Sequence, residues 1–201
     1  MKSEYHVVSF SGGKDSTAML LMMIEKNMPI DEIIFCDTTV EFPEMYKHIS
    51  KLEKYIGMSI TILRADKDFE HYLLHHKKTR GKYMNNLGYS FPWMRSRWCT
   101  RALKTDVINK YFKEKSKYYN IIQYVGIAYD EPNRIKDGKN IKYPLHEWGV
   151  TEQQALEYCY NKGFDWGGLY KEMKRVSCWC CPLQSIGDVR NLYQNHKELW
   201  N

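Results

Sequence analysis

Short apolar runs alternate with longer apolar or amphipathic stretches over the first third of the chain. The runs 5–10, 33–36 and 59–63 have the length of strands. Between them, 15–26 is apolar nearly all round, as expected of a helix packed deeply against a sheet. The stretch 43–56 begins at a proline and is followed by a glycine, which are typical helix boundaries. Strands alternating with helices predict an α/β fold with a doubly wound, mostly parallel sheet.

The second half of the chain continues this pattern. Apolar side chains fall on one face of a helix of about four turns over 99–112, and 121–127 is strongly β-prone. Thr151 with Gln154 forms a capping box, which begins a helix that Gly163 ends. We interpret this last helix as scaffold and its cysteine as buried and inert.

Between residues 65 and 98 the alternation of strands and helices stops. A short helix over 68–76 is followed by a basic and aromatic run. A long irregular segment in a compact domain is usually functional or disordered, and aromatic residues argue against disorder. Interleaved basic and stacking side chains suit a nucleotide or a single-stranded nucleic acid. A solvated lid or a protein interface explains the same composition.

The chain has 201 residues, 43% of them hydrophobic, with a net charge of +6 and six cysteines. This length predicts one domain over 1–201, with a lid at 65–98 and a cysteine-bearing segment at 164–201. No long apolar run and no signal-peptide pattern is visible, so we expect a cytoplasmic protein without a membrane partner. The charge is compatible with nucleic acid and with anionic small substrates. In a cytoplasmic chain, six cysteines are more typical of metal ligands or catalytic thiols than of disulfides.

The stretch between the first predicted strand and the first predicted helix carries the clearest chemical signal. It contains two glycines, a lysine and three hydroxyl side chains. The backbone N–H groups of such a turn point at one spot, at the positive end of a helix dipole, which favours a phosphate or pyrophosphate. Glycine lets the backbone approach a ligand closely because it has no Cβ. The residues expected to bind phosphate groups here are Ser11, Gly12, Gly13, Lys14, Asp15, Ser16 and Thr17.

This loop is not a Walker A motif, which places four residues between its first glycine and the Gly-Lys-Ser/Thr. The sequence SGGKDS at 11–16 instead resembles the loop of the PP-loop ATP pyrophosphatases. Three further segments resemble the PAPS reductase-like family of that superfamily: FCDTTVEFPE at 35–44, CTRALK at 99–104 and GIAYDEPNR at 126–134. The resemblance covers nearly the whole chain and implies the Rossmann-like fold of the adenine nucleotide hydrolases.

The resemblance also implies contacts with an adenine nucleotide. Asp37 and Thr38 are expected beside the nucleotide, and Thr39 stands where the family has glycine. Arg134 follows a strand end, where an arginine can clamp a phosphate through two hydrogen bonds. The acidic pair at 130–131 either holds Mg²⁺ or orients that arginine.

The cysteines give the second chemical signal. Cys178 and Cys181 have the C-x-x-C spacing that lets two sulfurs reach one metal, in a segment that resembles the C-terminal part of PAPS reductase-like proteins. Cys99 is predicted at a helix N-terminus among basic residues, which favours the thiolate. These three are the expected metal ligands. The fourth position is open between Cys180, Cys36 and an iron without a fourth protein ligand.

The resemblance implies an adenylating sulfur-transfer enzyme that splits ATP, bound with Mg²⁺, into AMP and pyrophosphate. Lys14, Asp15 and Cys99 are its expected catalytic residues, and a 4Fe–4S cluster its expected further cofactor, with zinc or no metal as alternatives. Reductases of the family tend to lose the Lys-Asp of the loop, which this sequence keeps. They also carry a cysteine-bearing tail, whereas this sequence ends at Trp200-Asn201. Both features favour sulfur transfer.

Two other functions stay open. One is a thiol-dependent reductase of PAPS or APS that releases sulfite, and the other is a nucleotide-binding subunit without turnover. For a sulfur-transfer enzyme, the partners to consider are a nucleic-acid acceptor and a sulfur-donor protein. A homodimer is also open.

Overall fold

The protein, described by a computed structural model over residues 2–200, is built on one five-stranded sheet. The strands are β1 (Glu4–Phe10), β2 (Glu32–Asp37), β3 (Ile60–Arg64), β4 (Asn120–Val125) and β5 (Ile141–Lys142). Their order is β3–β2–β1–β4–β5. Strand β1 pairs in parallel with β2 and β4, and β4 pairs in parallel with β5. This order is that of a doubly wound α/β sheet, which confirms the predicted fold class.

Helices connect the strands. They are α1 (Lys14–Glu25), α2 (Pro43–Ile56), α3 (Trp98–Thr100), α4 (Asp106–Lys115), α5 (Pro144–Glu147), α6 (Glu152–Asn161), α7 (Leu169–Glu172), α8 (Ile186–Asn195) and α9 (Lys197–Trp200). Within residues 2–200, no helix combines the length and apolar character that crossing a membrane requires.

The contacts between residues divide the chain into two compact units. Unit 1 comprises 2–35, 43–62 and 111–169, and unit 2 comprises 36–42, 63–110 and 170–200. The expectation of one domain, with a lid and a C-terminal cysteine segment, stays a prediction.

The centre of the sheet supplies much of the core of unit 1. Val7 and Val8 of β1 are fully buried, and Ile33 and Ile34 of β2 are nearly so. Helix α1 buries seven of its twelve residues. Parallel strands covered by helices are apolar on both faces, which explains why these segments appear as uninterrupted apolar runs in the sequence.

Unit 2 has a small core of its own. The buried members of this cluster are Val40, Phe69, Trp98, Leu103 and Cys180. The ring of Trp98 lies 5.1 Å from that of Phe69, and its indole N–H donates to the carbonyl of Ser90 (3.0 Å). The predicted lid is therefore anchored by an aromatic interior.

The predicted four-turn helix is observed as two α-helical pieces joined by a wider turn. Helix α3 runs into the π-type turn Arg101–Thr105, and α4 follows it. A π-type turn shifts the helical phase. Ala102 and Leu103 are buried in this turn, whereas no residue of α4 is buried. The apolar face expected over 99–112 nevertheless continues, because Val107, Ile108, Tyr111 and Phe112 are half-buried while their polar neighbours are exposed. What differs from the prediction is the π-type turn that interrupts the helix.

Of three other local predictions, one is confirmed and two differ from the structure. The capping box of Thr151 and Gln154 is confirmed at the start of α6, where Cys159 is buried. Strand β4 ends earlier than predicted, because the N–H of Ile127 donates to the carbonyl of Val125 (3.0 Å) and turns the chain. The predicted helix over 68–76 is largely a single π-type turn at His71–His75.

Gly126 lets the end of β4 approach the first turn of α1. A Cβ on Gly126 would lie 2.8 Å from Cα and 2.9 Å from the backbone N of Ser16. Both are backbone atoms, so they cannot move aside as a flexible side chain would.

We expect Gly126→Ala to lower the free energy of unfolding by about 1–3 kcal/mol, because the added methyl group overpacks this contact. Urea unfolding measures the effect. Gly187→Ala in α8 is the matched control: the nearest atom to its added Cβ would be Oγ of Ser185, at 3.5 Å. Alanine is favoured over glycine in a helix, so the control should be neutral or stabilising. Equal stability of both variants and the wild type would contradict the close approach.

Candidate functional site

The glycine turn predicted to bind phosphate lies between β1 and α1 in unit 1. Gly13 precedes the first helical residue with extended backbone angles (φ −77°, ψ 171°), and as a glycine it has no side chain with which to cap the helix N-terminus. Gly12 has φ +79°, and a Cβ on it would lie 2.2 Å from Sδ of Met45. The positive φ favours glycine at position 12, and a larger residue there would also have to displace the Met45 side chain. Without a side-chain cap, the first N–H groups of α1 are suited to an anion.

The hydroxyl groups of the turn differ in what they contact. Ser16 Oγ donates to the carbonyl of Gly13 (3.0 Å), accepts from the N–H of Ser11 (3.2 Å) and lies 3.0 Å from Oγ of Ser11. Thr17 Oγ1 lies 3.0 Å from Nε2 of His48, and both side chains are buried. Ser16 and Thr17 thus stabilise the turn and the helix start, while Ser11 is exposed. Their predicted contact with phosphate stays a prediction.

Trp166 supports the glycine turn from the other side. Its indole N–H donates to the carbonyl of Gly12 (2.7 Å), and its ring stacks on that of His48 with centroids 4.4 Å apart. Its φ of +52° lies in the left-handed region. Such a conformation is unfavourable for a bulky side chain and persists only where the surroundings hold it. Sequence reasoning missed Trp166. The Gly-Gly pair that follows it indicates an unusual backbone conformation, but no nearby residue indicates that Trp166 contacts position 12.

His48 is an uncharged part of this support. Burial lowers the pKa of His48 to about 3, with Lys51 adding to the effect and Asp165 opposing it. The imidazole is therefore neutral at physiological pH, and it can share a hydrogen bond with Thr17 without bringing charge into the core.

Lys14 lies between two carboxylates. Its Nζ donates to both carboxylate oxygens of Asp15 (3.2 Å each) and to Oε2 of Glu152 at the start of α6 (2.5 Å). Burial would lower the pKa of Lys14, but Asp15 and Glu152 outweigh it and the pKa is raised. Burial raises the pKa of Asp15, against the influence of Lys14, and Glu152 and Glu131 add to the rise. The positive charge of Lys14, which is expected to contact a phosphate, is therefore already balanced by neighbouring carboxylates.

The loop after β4 contributes acidic residues to unit 1. Arg134 forms an ion pair with Glu131. Of the two roles expected for the acidic pair at 130–131, the geometry favours orienting the arginine. Asp130 Oδ1 accepts the N–H of Glu152 (3.0 Å) and thereby holds the start of α6. Arg134 itself is largely exposed, as an arginine that meets a ligand needs to be.

In unit 2, Asp37 is fully occupied by protein contacts. Its carboxylate accepts from Nε (2.8 Å) and from a terminal amino group (2.6 Å) of Arg64, and Oδ1 accepts the N–H of Thr39 (2.8 Å). Thr39 has φ +67°, at the position where the family has glycine. Its hydroxyl donates to the carbonyl of Thr38 (2.6 Å) and accepts the N–H of Phe69 (3.3 Å). These bonds offset the strain of a β-branched residue in this conformation.

Glu41 joins the loop after β2 to the C-terminal cysteines of unit 2. Its Oε1 accepts from Oγ1 of Thr38 (2.8 Å), from Sγ of Cys178 (3.6 Å) and from Nζ of Lys104 (3.5 Å). Thr38 Oγ1 also lies 3.3 Å from Sγ of Cys178. A backbone bridge pairs residues 41 and 178. Sequence reasoning named Thr38 and Cys178 separately and missed Glu41 and Lys104 as their link.

Three cysteines of unit 2 belong to its small apolar core or pack against it. Cys180 is a buried member, and Cys99 and Cys178 pack against it. Burial raises the pKa of Cys178 to about 12, with Glu41 adding to the rise and Lys104 opposing it. Cys36 is also a buried free thiol.

Two tests show how well these residues fit a metal. The donor set fits, since several free thiols in one apolar cluster are what zinc or an iron–sulfur cluster needs. The side-chain geometry does not: within residues 2–200, no three His, Cys, Asp or Glu side chains converge as metal ligands. The Cys178 thiol instead bonds to Thr38 and Glu41.

Comparison with one solved structure supports the fold. The phosphoadenylyl-sulfate (PAPS) reductase of Candida auris, in a phosphate complex, aligns with a TM-score of 0.55 at 16% identity, over 90% of this chain and 83% of its own. The U34-tRNA thiolase of Methanococcus maripaludis, with its 4Fe–4S cluster, gives 0.49 at 18% identity, over 98% of this chain and 69% of its own.

The sequence relatives described here are longer than this chain. Two uncharacterised proteins of Methanocaldococcus jannaschii are 26% and 25% identical to this chain, each over 96% of it, but it spans only 39% and 45% of their lengths. An uncharacterised nin region protein of Escherichia phage lambda is 27% identical over 80% of this chain and 60% of its own length. The profile of the phosphoadenosine phosphosulfate reductase domain matches residues 5–191. The chain therefore belongs to the phosphoadenosine phosphosulfate reductase family.

Proposed function

We propose that this chain catalyses an ATP-dependent adenylation followed by sulfur transfer. The observation that carries the proposal is the turn before α1, which combines the glycine pair Gly12-Gly13 with a lysine–aspartate pair at the first two helical positions. Backbone N–H groups and Lys14 together suit a pyrophosphate leaving group.

In the first step, an oxygen of the acceptor attacks the α-phosphorus of ATP. The bond from that phosphorus to the bridging oxygen breaks, and pyrophosphate leaves with the electron pair. The N–H groups at the start of α1 bind the leaving pyrophosphate, and Lys14 neutralises part of its charge. Arg134, which Glu131 orients, is placed on a loop of the same unit and can contact a phosphate. Mg²⁺ bound to ATP would neutralise the remaining charge.

In the second step, a sulfur nucleophile displaces AMP from the adenylated acceptor, so that a bond to sulfur replaces the bond to oxygen. Sulfide or a thiolate, supplied by a sulfur-donor protein, is the nucleophile. Cys99, Cys178 and Cys181 are the proposed ligands of a 4Fe–4S cluster, with zinc as the alternative and Cys180 as a possible fourth ligand. When bound, an iron–sulfur cluster supplies a place where sulfur can be held. Thr38 and Glu41 contact the Cys178 thiol.

The first prediction from this proposal concerns Lys14. We expect Lys14→Ala to slow the release of AMP and pyrophosphate from ATP by about 100-fold, the scale on which one preorganised charge acts in a transition state. The assay supplies RNA or DNA as acceptor and a sulfide source, and measures both products. Lys26→Ala, at the opposite end of α1, is the matched control and should leave the rate unchanged.

Two results would overturn the proposed reaction. Sulfite release from PAPS with a thiol reductant, without consumption of ATP, would make the chain a reductase. Tight ATP binding without any product would make it a nucleotide-binding subunit.

The second prediction concerns Glu152, which competes with an anion for Lys14. We expect Glu152→Gln to strengthen the binding of inorganic pyrophosphate about fivefold, because one negative charge near the ligand is removed. Isothermal titration without divalent metal measures this affinity. Glu157→Gln, farther along α6, is the control. Weaker binding by Glu152→Gln would show that the carboxylate positions Lys14 instead of competing for it.

The third prediction concerns the cysteines. We expect protein purified without oxygen to contain iron and matching acid-labile sulfide, and to lose both in Cys99→Ala, Cys178→Ala and Cys181→Ala. Cys159→Ala removes a buried thiol of unit 1 and should retain them. Zinc in place of iron would select the alternative metal. Metal-free protein with an active adenylation step would restrict these cysteines to a structural or redox role.

A further inference from the structure

Unit 2 exposes an unusual number of large apolar side chains on one short segment, 77–97. We call its outward-facing residues the lid face. Its exposed apolar members are Tyr83, Met84, Leu87, Phe91, Trp93 and Met94. Trp93 and Phe91 each expose 55% of their surface, and Met94 exposes 73%. Isolated exposed apolar residues are ordinary, but a group on one segment marks an interaction site.

This segment is held in place without using the lid face. A short hairpin-like turn is closed by two backbone hydrogen bonds: the N–H of Lys78 donates to the carbonyl of Asn86 (3.0 Å), and the N–H of Asn85 donates to the carbonyl of Lys78 (2.8 Å). On the inner side, the Tyr89 ring stacks parallel to that of Tyr72 (6.2 Å) and lies 5.8 Å from Trp98. Inner aromatic residues therefore order the segment, and the outer ones are available to a partner.

The charge of the surroundings identifies the kind of partner. Residues 71–105 contain eight lysines and arginines and no aspartate or glutamate. Six of these cations fall within 77–97, and none of the six has an ion-pair partner in the described part of the chain. A run of this length without acidic residues is complementary to a polyanion.

The positions of cations and rings favour unpaired nucleotides. Lys78 and Lys82 place their Nζ atoms 5.6 and 5.8 Å from the centre of the Tyr83 ring. Trp93 and Arg95 lie on one tight turn, closed by the N–H of Ser96 donating to the carbonyl of Trp93 (2.9 Å). Aromatic rings beside cations bind a single strand by stacking its bases and contacting its phosphates. Bases in a duplex are already stacked and paired, and their faces are not available to these rings.

We propose that the lid face binds single-stranded nucleic acid, with bases stacked on Tyr83, Phe91 and Trp93 and phosphates bound by the neighbouring lysines and arginines. The identification of this strand as the sulfur acceptor rests on the proposed function; the binding itself does not.

The test measures fluorescence anisotropy of a short labelled single strand, as RNA and as DNA of the same sequence, without ATP. We expect Trp93→Ala and Phe91→Ala each to weaken binding about tenfold, the scale of one lost base stack. Tyr118→Ala is the matched control, since Tyr118 is 72% exposed and lies next to a lysine, in unit 1. We expect Arg95→Gln to reduce the slope of log K against log salt by about 0.7, whereas Lys117→Gln should leave it unchanged.

The proposal is overturned if neither strand binds at low salt, if a duplex binds as tightly as a single strand, or if Tyr118→Ala weakens binding as much as Trp93→Ala. It is also overturned if Trp93→Ala abolishes self-association in sedimentation and leaves nucleic-acid binding intact, because the lid face is then an interface between copies. Thermal unfolding of each variant separates lost binding from lost folding. If the strand binds but no AMP is released, this proposal stands and the proposed reaction is rejected. If AMP is released but no strand binds, the proposed reaction stands and this proposal is rejected.

Discussion

The turn before α1 is tied to a distant part of unit 1 by the hydrogen bond from the indole of Trp166 to the carbonyl of Gly12. This bond fixes a peptide whose glycine has φ +79° and whose surroundings leave no room for a Cβ. Trp166 itself adopts a left-handed conformation, which costs about 1–2 kcal/mol. Complete burial of the indole and its stacking on His48 offset that cost. The strained backbone conformation therefore belongs to Trp166 and not to the turn itself. The N–H groups at the start of α1 are thus preorganised.

Glu41 has a comparable role in unit 2, with different chemistry. A buried carboxylate is tolerated only when hydrogen bonds and an opposite charge surround it. Thr38, Lys104 and Cys178 provide that environment at a single oxygen. Each of the three donates to the same Glu41 oxygen, so this carboxylate connects the loop after β2 with Cys178 in the C-terminal segment. The thiol that the sequence marks as a metal ligand is therefore part of a protein network as well.

The sequence predicts what depends on neighbouring residues. The order of strands and helices, the glycine turn and the capping box of α6 are all encoded within short windows, and the structure confirms them. It does not predict contacts between distant positions. Lys14 and Glu152 are 138 residues apart, and Gly12 and Trp166 are 154 apart. The π-type turn at Arg101–Thr105 also escaped prediction, because apolar periodicity assumes a constant helical phase. Which thiols reach one another is a long-range question of the same kind.

The charges near Lys14 constrain what unit 1 can bind. Asp15 and Glu152 contact its ammonium group, and Glu131 is close enough to influence the pKa of Asp15. A bare polyphosphate therefore meets attraction from Lys14, from the N–H groups of α1 and, in the proposed site, from Arg134, but repulsion from three carboxylates. A polyphosphate that carries Mg²⁺ has less negative charge, and the metal interacts favourably with the same carboxylates. The balance of charge at this turn thus disfavours free phosphate relative to a metal–nucleotide complex. That preference accords with the proposal that ATP binds together with Mg²⁺.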